Sequence, residues 1–319
     1  MGSVILRRIG LRALSAIPIL LAVTFGTYVM LFSIGDAAAV VAGESATPEQ
    51  VEEIRSQLGL DQPVLLQYLT WLGEALRGDL GESLHHRGAV TDLIAHHMPS
   101  TLLLSFLALL IAIVATMAMG SAVGLRPGGL LDRGLRGFSL LGIAVPHFML
   151  GLLLILFFAI WLPWFPAGGY RTLAEVGVGE MLSYLVLPAV ALGISLMCQQ
   201  MRTFRASLAT EYEADYVRTA RMKGVSGHNI FFRHVSRNAS GPLVTVIGLE
   251  VGVLITGALL VEVVFAIPGI GTLTLDSVRD QDFPVVQGLV ALFAIVVITA
   301  NLVADLVVLW LDPAARERT

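Results

Sequence analysis

Ser195 and His147 are the one pair in this chain that could serve as nucleophile and base, the arrangement hydrolytic acyl transfer requires. No Gly-x-Ser-x-Gly turn surrounds Ser195, and an aspartyl mechanism would need two membrane aspartates where only Asp305 lies within an apolar run. The sequence therefore argues against catalysis inside a membrane. Lys223 is the only lysine and Gly224 follows it, so the phosphate-cradling Gly-x-x-x-x-Gly-Lys-Ser/Thr loop is absent. Work done across a membrane must then draw on a gradient or on a partner. His85-His86 and His96-His97 could suggest a metal, but adjacent histidines point to different sides of a helix and make a poor chelate. Three ionisable residues lie inside or at the edge of apolar runs, where charge is costly and normally turned toward protein or water. Glu250 sits mid-run. It could line a translocation path and meet a cationic substrate end, or pack as a protonated or hydrogen-bonded group. Glu262 is placed to reach the outer interface, and Asp305, near the inner end, reads as structural.

The elements that must position these groups are membrane-length. The chain has 319 residues, 56% hydrophobic and only 14% charged, the balance of a membrane protein. Six apolar segments reach the roughly 20 residues a bilayer requires: residues 13–34, 98–125, 137–167, 181–201, 238–267 and 283–311. The third and fifth are overlong, which predicts kinks or tilts, with Pro146 a candidate kink in the third. Arg7, Arg8 and Arg12 precede the first segment as they would in a signal peptide. Its uncharged core is 22 residues, too long for that, and an uncleaved first helix is expected. With an inside N-terminus, fifteen of the 20 Lys and Arg fall in inner segments and five in outer ones, the bias that orients membrane proteins. Both termini are then cytoplasmic. The net charge of −4 argues against a nucleic-acid partner, and lone Cys198, in an apolar run, reads as a small core residue. The expected fold class is an all-α polytopic membrane protein: a tail and first helix (1–35), an external helical insertion between helices 1 and 2 (36–97), and a five-helix core (98–319).

The insertion carries helix punctuation. Thr47-Pro-Glu-Gln50 matches a capping box with proline in the first helical position, and Gly59 stands where a helix would end. Pro63 opens a second helix that Gly78 closes. Ten acidic residues against three arginines make the insertion acidic. Those charges could be solvated helix faces, or a ledge that receives an external partner or guides substrate.

Residues 202–237 form the longest cytoplasmic stretch and hold seven of the cations: Arg202, Arg205, Arg218, Arg221, Lys223, Arg233 and Arg237. Tyr212, Tyr216 and Thr219 recur at i, i+4 and i+7, which predicts one stripe on one helix. Arg218, Arg221 and Lys223 flank it, and Gly224 ends it; a positive φ there would resist substitution.

Several blocks in order resemble one family. They are Leu6-Arg-Arg-Ile-Gly with Ile17-Pro-Ile-Leu-Leu, Leu58-Gly-Leu-Asp-Gln-Pro63, Arg77-Gly-Asp-Leu-Gly-Glu-Ser83 and Trp161-Leu-Pro-Trp-Phe-Pro-Ala-Gly-Gly169. Then come Tyr216-Val-Arg-Thr-Ala-Arg-Met-Lys-Gly224 with Phe232-Arg-His, and Val261-Glu-Val-Val-Phe-Ala-Ile-Pro-Gly-Ile-Gly271 with Pro284-Val-Val-Gln-Gly288 and Leu311-Asp-Pro313. From end to end the chain resembles the inner-membrane permease subunit of peptide/nickel-class ABC importers, of the dipeptide/oligopeptide permease B type.

The resemblance implies the six-helix type I importer fold and half of a translocation path for short peptides. It puts ATPase coupling on a cytoplasmic helix near residues 211–227, through Tyr212, Asp215, Tyr216, Arg218, Thr219, Ala220, Arg221, Lys223 and Gly224. It implies no cofactor in this chain, with ATP and Mg on partner subunits. The partners would be a second homologous permease, two ATPase subunits and an external solute-binding protein, in a bacterial inner membrane. Nickel, haem or glutathione-like cargo stays open because binding proteins set most of the specificity in that family; a gradient-driven secondary carrier is the alternative of another class. Three positions depart from the pattern. No proline follows Asp36, Phe148 follows Pro146-His147 where Phe-Trp is usual, and Glu250 stands where an uncharged residue, often Gln, is expected.

Overall fold

The computed structural model describes residues 2–43, 45–57, 59–86, 88–125 and 128–311. Arg87, Arg126, Asp312, Pro313, Arg316 and Arg318 fall outside them, as do the side chains of residues 2–13 and of Asp305. The described residues are helical with no strand, only an isolated bridge between Glu82 and Ala89. The chain divides into two compact units, Met1–Thr101 with Pro268–Ile298 and Leu102–Ile267 with Thr299–Thr319.

The first unit holds α1 (Gly2–Ile34), α2 (Ala37–Ala42), α3 (Pro48–Gln57), α4 (Val64–Ala75), the start of α5 (Val90–Leu125), α13 (Ile270–Arg279) and the start of α14 (Phe283–Leu311). Its punctuation is local. Gln50 Oε1 accepts from the Thr47 backbone N–H at 2.8 Å and Thr47 Oγ1 accepts from Gln50 N–H at 3.4 Å, so the capping box forms as its residues demand. Gly59 and Gly78 take φ +66 and +90 where α3 and α4 end. The short α2 has no counterpart in the sequence reading. Asp36 caps it by accepting from Ala38 and Ala39 N–H, and also pairs with Arg55 at 2.6 Å.

Tyr68 docks α4 on α1: its hydroxyl lies 2.9 Å from Thr24 Oγ1, and its ring packs edge-on against Phe25 and Tyr28. Gln287 Nε2 donates to the Thr24 carbonyl at 2.9 Å, tying α14 to the same turn of α1. Beneath them Val90, Ile94, Ile270, Leu273, Val285 and Leu289 form the core. Asp282 closes the unit, accepting from the Ser83 hydroxyl and from the backbone N–H groups of Leu84 and His85.

The second unit contains the rest of α5, then α6 (Leu130–Ala144), α7 (His147–Leu154), a π-helical turn at Ile155–Trp161 and α8 (Leu173–Val176). It continues with α9 (Val178–Glu213), α10 (Asp215–Met222), α11 (Gly227–Ile230), a second π turn at Phe231–Val235, and α12 (Ser236–Val264). Small residues set its close approaches. A Cβ on Gly193 would stand 3.0 Å from the Ala108 carbonyl, so α9 meets α5 nearly backbone to backbone, and bare Gly142 on α6 makes room for the Cys198 thiol of α9. Cys198 is buried in that contact. Within the fifth apolar run, Gly248 makes such an approach, to Ala304, whereas Gly257 faces open space.

Among the described residues four helices are long and apolar enough to cross a membrane, and up to six spans result if each of two bent pairs crosses as one. The bend in the third segment exceeds a kink: α6 and the helix after it meet at 106°. Pro146 lacks an N–H and forces the residue before it out of helical space, and Val145 is extended at φ −90, ψ 124. The fourth segment is longer than expected. It runs unbroken to Glu213, so Arg202 and Arg205 belong to a helix and not to a loop. Arg205 is held there by Asp132, 2% exposed, which accepts from Arg205 Nε at 2.6 Å, Arg136 Nη2 at 2.7 Å and the Gly128 N–H at 3.1 Å.

Candidate functional site

Two places in the second unit gather the residues singled out by sequence. The first is the connector after α9. The helix does not continue through it: Ala214 is extended at φ −66, ψ 145, and α10 starts afresh at Asp215. The expected single stripe of Tyr212, Tyr216 and Thr219 is therefore wrong, because Tyr212 ends one helix and the other two lie on the next. Nor do the tyrosines face outward. The Tyr212 hydroxyl donates to the Gly124 carbonyl on α5, and the Tyr216 hydroxyl donates to Glu211 Oε2. Asn238 Nδ2 reaches both Glu211 and Tyr216, at 3.4 and 3.3 Å. Burial, then the Glu211 carboxylate, pushes the Tyr216 hydroxyl above its usual range, so it stays a donor. Val217, fully buried, packs with Phe204, Leu208, Ile230, Phe231 and Val235, with Ala220 against the same cluster. These hydroxyls and Val217 hold the break open against local helix propensity.

What α10 turns outward is its other face. Asp215, Arg218, Thr219, Arg221, Met222 and Lys223 are exposed, Met222 to 82%. Asp215 lies in the first turn and Arg221 in the last, the order that suits the helix dipole. The Thr219 hydroxyl bonds back to the Asp215 carbonyl. The Arg221 guanidinium lies 5.9 Å from the Tyr212 ring centre. Gly224 has φ +76, with its N–H on the Arg221 carbonyl at 3.0 Å and the Val225 N–H on that of Ala220 at 3.1 Å. This is the two-bond cap that favours glycine. Val225, His228 and Phe232 extend the exposed edge beyond it. The result is a braced helix presenting cations around a bare methionine.

The second place is around Glu250 on α12. The residue is buried, 6% exposed. Its Oε2 accepts from Gln200 Nε2 on α9 at 2.6 Å, and Gln200 Oε1 accepts from Thr116 Oγ1 on α5 at 3.2 Å. Glu250 Oε1 has no partner among the described residues. Glu250 lines a half-open cavity of about 270 Å³ with His147, Ser195 and Gln199, among Ile143, Leu196, Val246 and Leu249. His147 Nδ1 does meet Ser195 Oγ, at 2.7 Å. Ser195 lies inside a continuous helix, not on the sharp strand-to-helix turn that exposes a hydrolase nucleophile. Gln200, which completes the arrangement, went unnoticed in the sequence; the pair Gln199-Gln200 in an apolar run is the signal that could have found it.

Glu262 is fully buried and does not reach a surface, since the chain folds back over it: Ile267 N–H bonds the Glu262 carbonyl and Gly169 N–H the Phe265 carbonyl. Among the described residues, no three His, Cys, Asp or Glu side chains converge as metal ligands would.

Residues 112–317 match the family described as binding-protein-dependent transport system inner membrane component, and residues 4–105 match its N-terminal companion. A probable peptide ABC transporter permease protein of Sinorhizobium fredii is 36% identical over 317 residues, covering 99% of this chain and 100% of the relative. The oligopeptide transport system permease protein AppB of Bacillus subtilis is 34% identical over 305 residues, 95% of this chain and 96% of that one. In fold the chain is similar to a solved subunit of the MetNI methionine ABC transporter in inward-facing form, with TM-score 0.56 at 17% identity, over 69% of this chain and 96% of that one. The chain therefore belongs to the family of binding-protein-dependent transport inner-membrane components, as a multi-pass permease subunit of an ABC importer.

Proposed function

We propose that this permease forms half of a translocation path for short peptides and is driven through the outward face of α10. It pairs with a second, homologous permease, and an external binding protein delivers the cargo. ATP and Mg are held on two ATPase subunits, and closure of those subunits pushes on residues 214–229. The distribution of Lys and Arg favours placing this connector and both termini in the cytoplasm, with residues 36–97 outside. The observation that carries the reading is the connector itself. A short helix braced by Tyr212, Tyr216 and Val217 leaves Arg218, Met222 and Lys223 without cover, and an exposed methionine ringed by cations suits an acidic-rimmed apolar groove. The named cargo of the two relatives favours peptides.

The test is the assembled importer in proteoliposomes. Met222→Asp, which alters the exposed face and leaves the inner brace intact, should preserve assembly while peptide uptake and cargo-stimulated ATP hydrolysis fall together. Wild-type rates in that variant would reject α10 as the coupling contact. Uptake that survives without ATP but collapses with the ion gradient would instead make the protein a secondary carrier.

A further inference from the structure

Glu250 spends one oxygen on Gln200 and leaves the other unpartnered. The amide it meets cannot easily turn away, because Thr116 Oγ1 holds Gln200 Oε1 and so aims the NH₂ at the carboxyl. Helices α5, α9 and α12 thus each contribute one member to a chain that presents a carboxyl group at the wall of the cavity. Water is nearly excluded from that group, and a buried carboxylate oxygen without a donor or a cation is costly. The cavity supplies no such partner of its own: no Lys or Arg lines it among the described residues. Its polar features are the Glu250 carboxyl, the Gln199 amide and the Ser195–His147 pair, in which the Ser195 hydroxyl also donates to the Gly142 carbonyl at 3.4 Å. Its other walls are the aliphatic side chains of Ile143, Leu196, Val246 and Leu249, a surface that suits the methylene stem of a charged group. At about 270 Å³ and open on one side, it has room for one side chain or one terminus.

We propose that this cavity receives a single cationic group of the cargo, a primary ammonium, on the carboxyl group of Glu250, whose unpartnered oxygen turns outward to meet it, and that the permease itself thereby selects cargo by charge. The inference rests on the importer reading and adds to it a recognition step separate from the binding protein's. Two sources offer the same chemistry, the α-ammonium of a peptide and the side chain of a lysine within it.

Two measurements test it. The first needs no peptide: the wild-type complex is treated with dicyclohexylcarbodiimide, and modification of Glu250 is followed by mass spectrometry. Butylammonium should slow the modification while butyramide, of similar size but neutral, should not. Glu250 that never reacts, or reacts equally fast with butylammonium present, overturns the site. The second measurement is uptake by Glu250→Gln importer at saturating loaded binding protein, which keeps the delivery step common to all cargoes. Its probes are Ala-Lys-Ala, Ala-norleucine-Ala and the N-acetylated form of the latter. Losing a charge-assisted hydrogen bond should slow the cationic cargo about tenfold or more relative to the neutral one. A loss confined to Ala-Lys-Ala identifies the side chain; a loss shared by both free-amine peptides but not the acetylated one identifies the α-ammonium. Ratios equal to wild type, or an equal loss of all three, overturn charge selection. Protection by butylammonium without peptide uptake in the wild type would sink the peptide reading and leave the cation site standing.

Discussion

Valine in place of Gly224 separates the backbone of the connector from its contacts. No heavy atom lies within 4 Å of where a Cβ would stand on Gly224, and the backbone is held at φ +76. The substitution therefore meets no neighbour, and its whole cost is that of left-handed backbone, about 1–2 kcal/mol for a residue with a Cβ and more for a branched one. The chain relieves that cost by opening the cap, giving up the Gly224 to Arg221 and Val225 to Ala220 hydrogen bonds. At roughly 1.4 kcal/mol per tenfold, the open form should gain about tenfold in weight. Hydrogen exchange reads this directly: amides of residues 220–226 should exchange about tenfold faster in Gly224→Val, with α9 and α12 unchanged. Cargo-stimulated ATP hydrolysis and uptake should fall with it. Gly224→Asn, which tolerates the left-handed region, should recover most of the loss. Gly227→Ala is the matched control, since Gly227 is helical and equally uncrowded. Unchanged exchange and coupling in Gly224→Val, or equal damage from Gly227→Ala, would refute the assignment of a strained cap.

Three further outcomes follow from the packing. Met222→Cys and Leu76→Cys, at positions 82% and 81% exposed, should label with membrane-impermeant maleimide from opposite sides, buried Cys198 staying silent; labelling from one side would break the proposed topology. Asp132→Asn should lower the thermal stability of the purified complex far more than Arg136→Ala. It removes the buried acceptor shared by two arginines and the Gly128 N–H, a loss of about 1–3 kcal/mol, against at most ~1 for the exposed Arg136; equal shifts would mean the cluster is not buried in the assembly. Tyr216→Phe removes one hydroxyl and leaves the ring, so it should cost about 1 kcal/mol and keep most uptake, whereas Tyr216→Ala should lose the connector's packing. Equal uptake in the two variants would show that the ring does not brace α10.

The parts of this fold legible in the sequence are those decided by neighbours in the chain. The Thr47 capping box and the glycines at 59, 78 and 224 follow from local backbone chemistry, and each forms as read. The connector's break at Ala214 was not legible, because no glycine or proline marks it; distant partners, Gly124 and Asn238, decide it. The same holds for Arg202 and Arg205, cationic enough to suggest a loop but anchored in a helix by Asp132. Pro146 announced a kink, yet its size, 106°, depends on what α6 and α7 pack against. Glu250 stood out as a carboxyl in an apolar run, whereas Gln200 and Thr116 matter only once three helices are side by side.

The unbroken length of α9 has a mechanical consequence. Between Gln200 and Glu213 it contains neither glycine nor proline, so it behaves as a stiff lever of about 20 Å at 1.5 Å per residue. One end abuts the connector; at the other sits the amide that grips Glu250. If the connector end is the fulcrum, a tilt of about 5° carries Gln200 through roughly 1.7 Å. That travel is enough to part a hydrogen bond made at 2.6 Å. A push small enough to leave every helix intact could thus loosen the hold on the carboxyl, so that grip and release are geared to one rod.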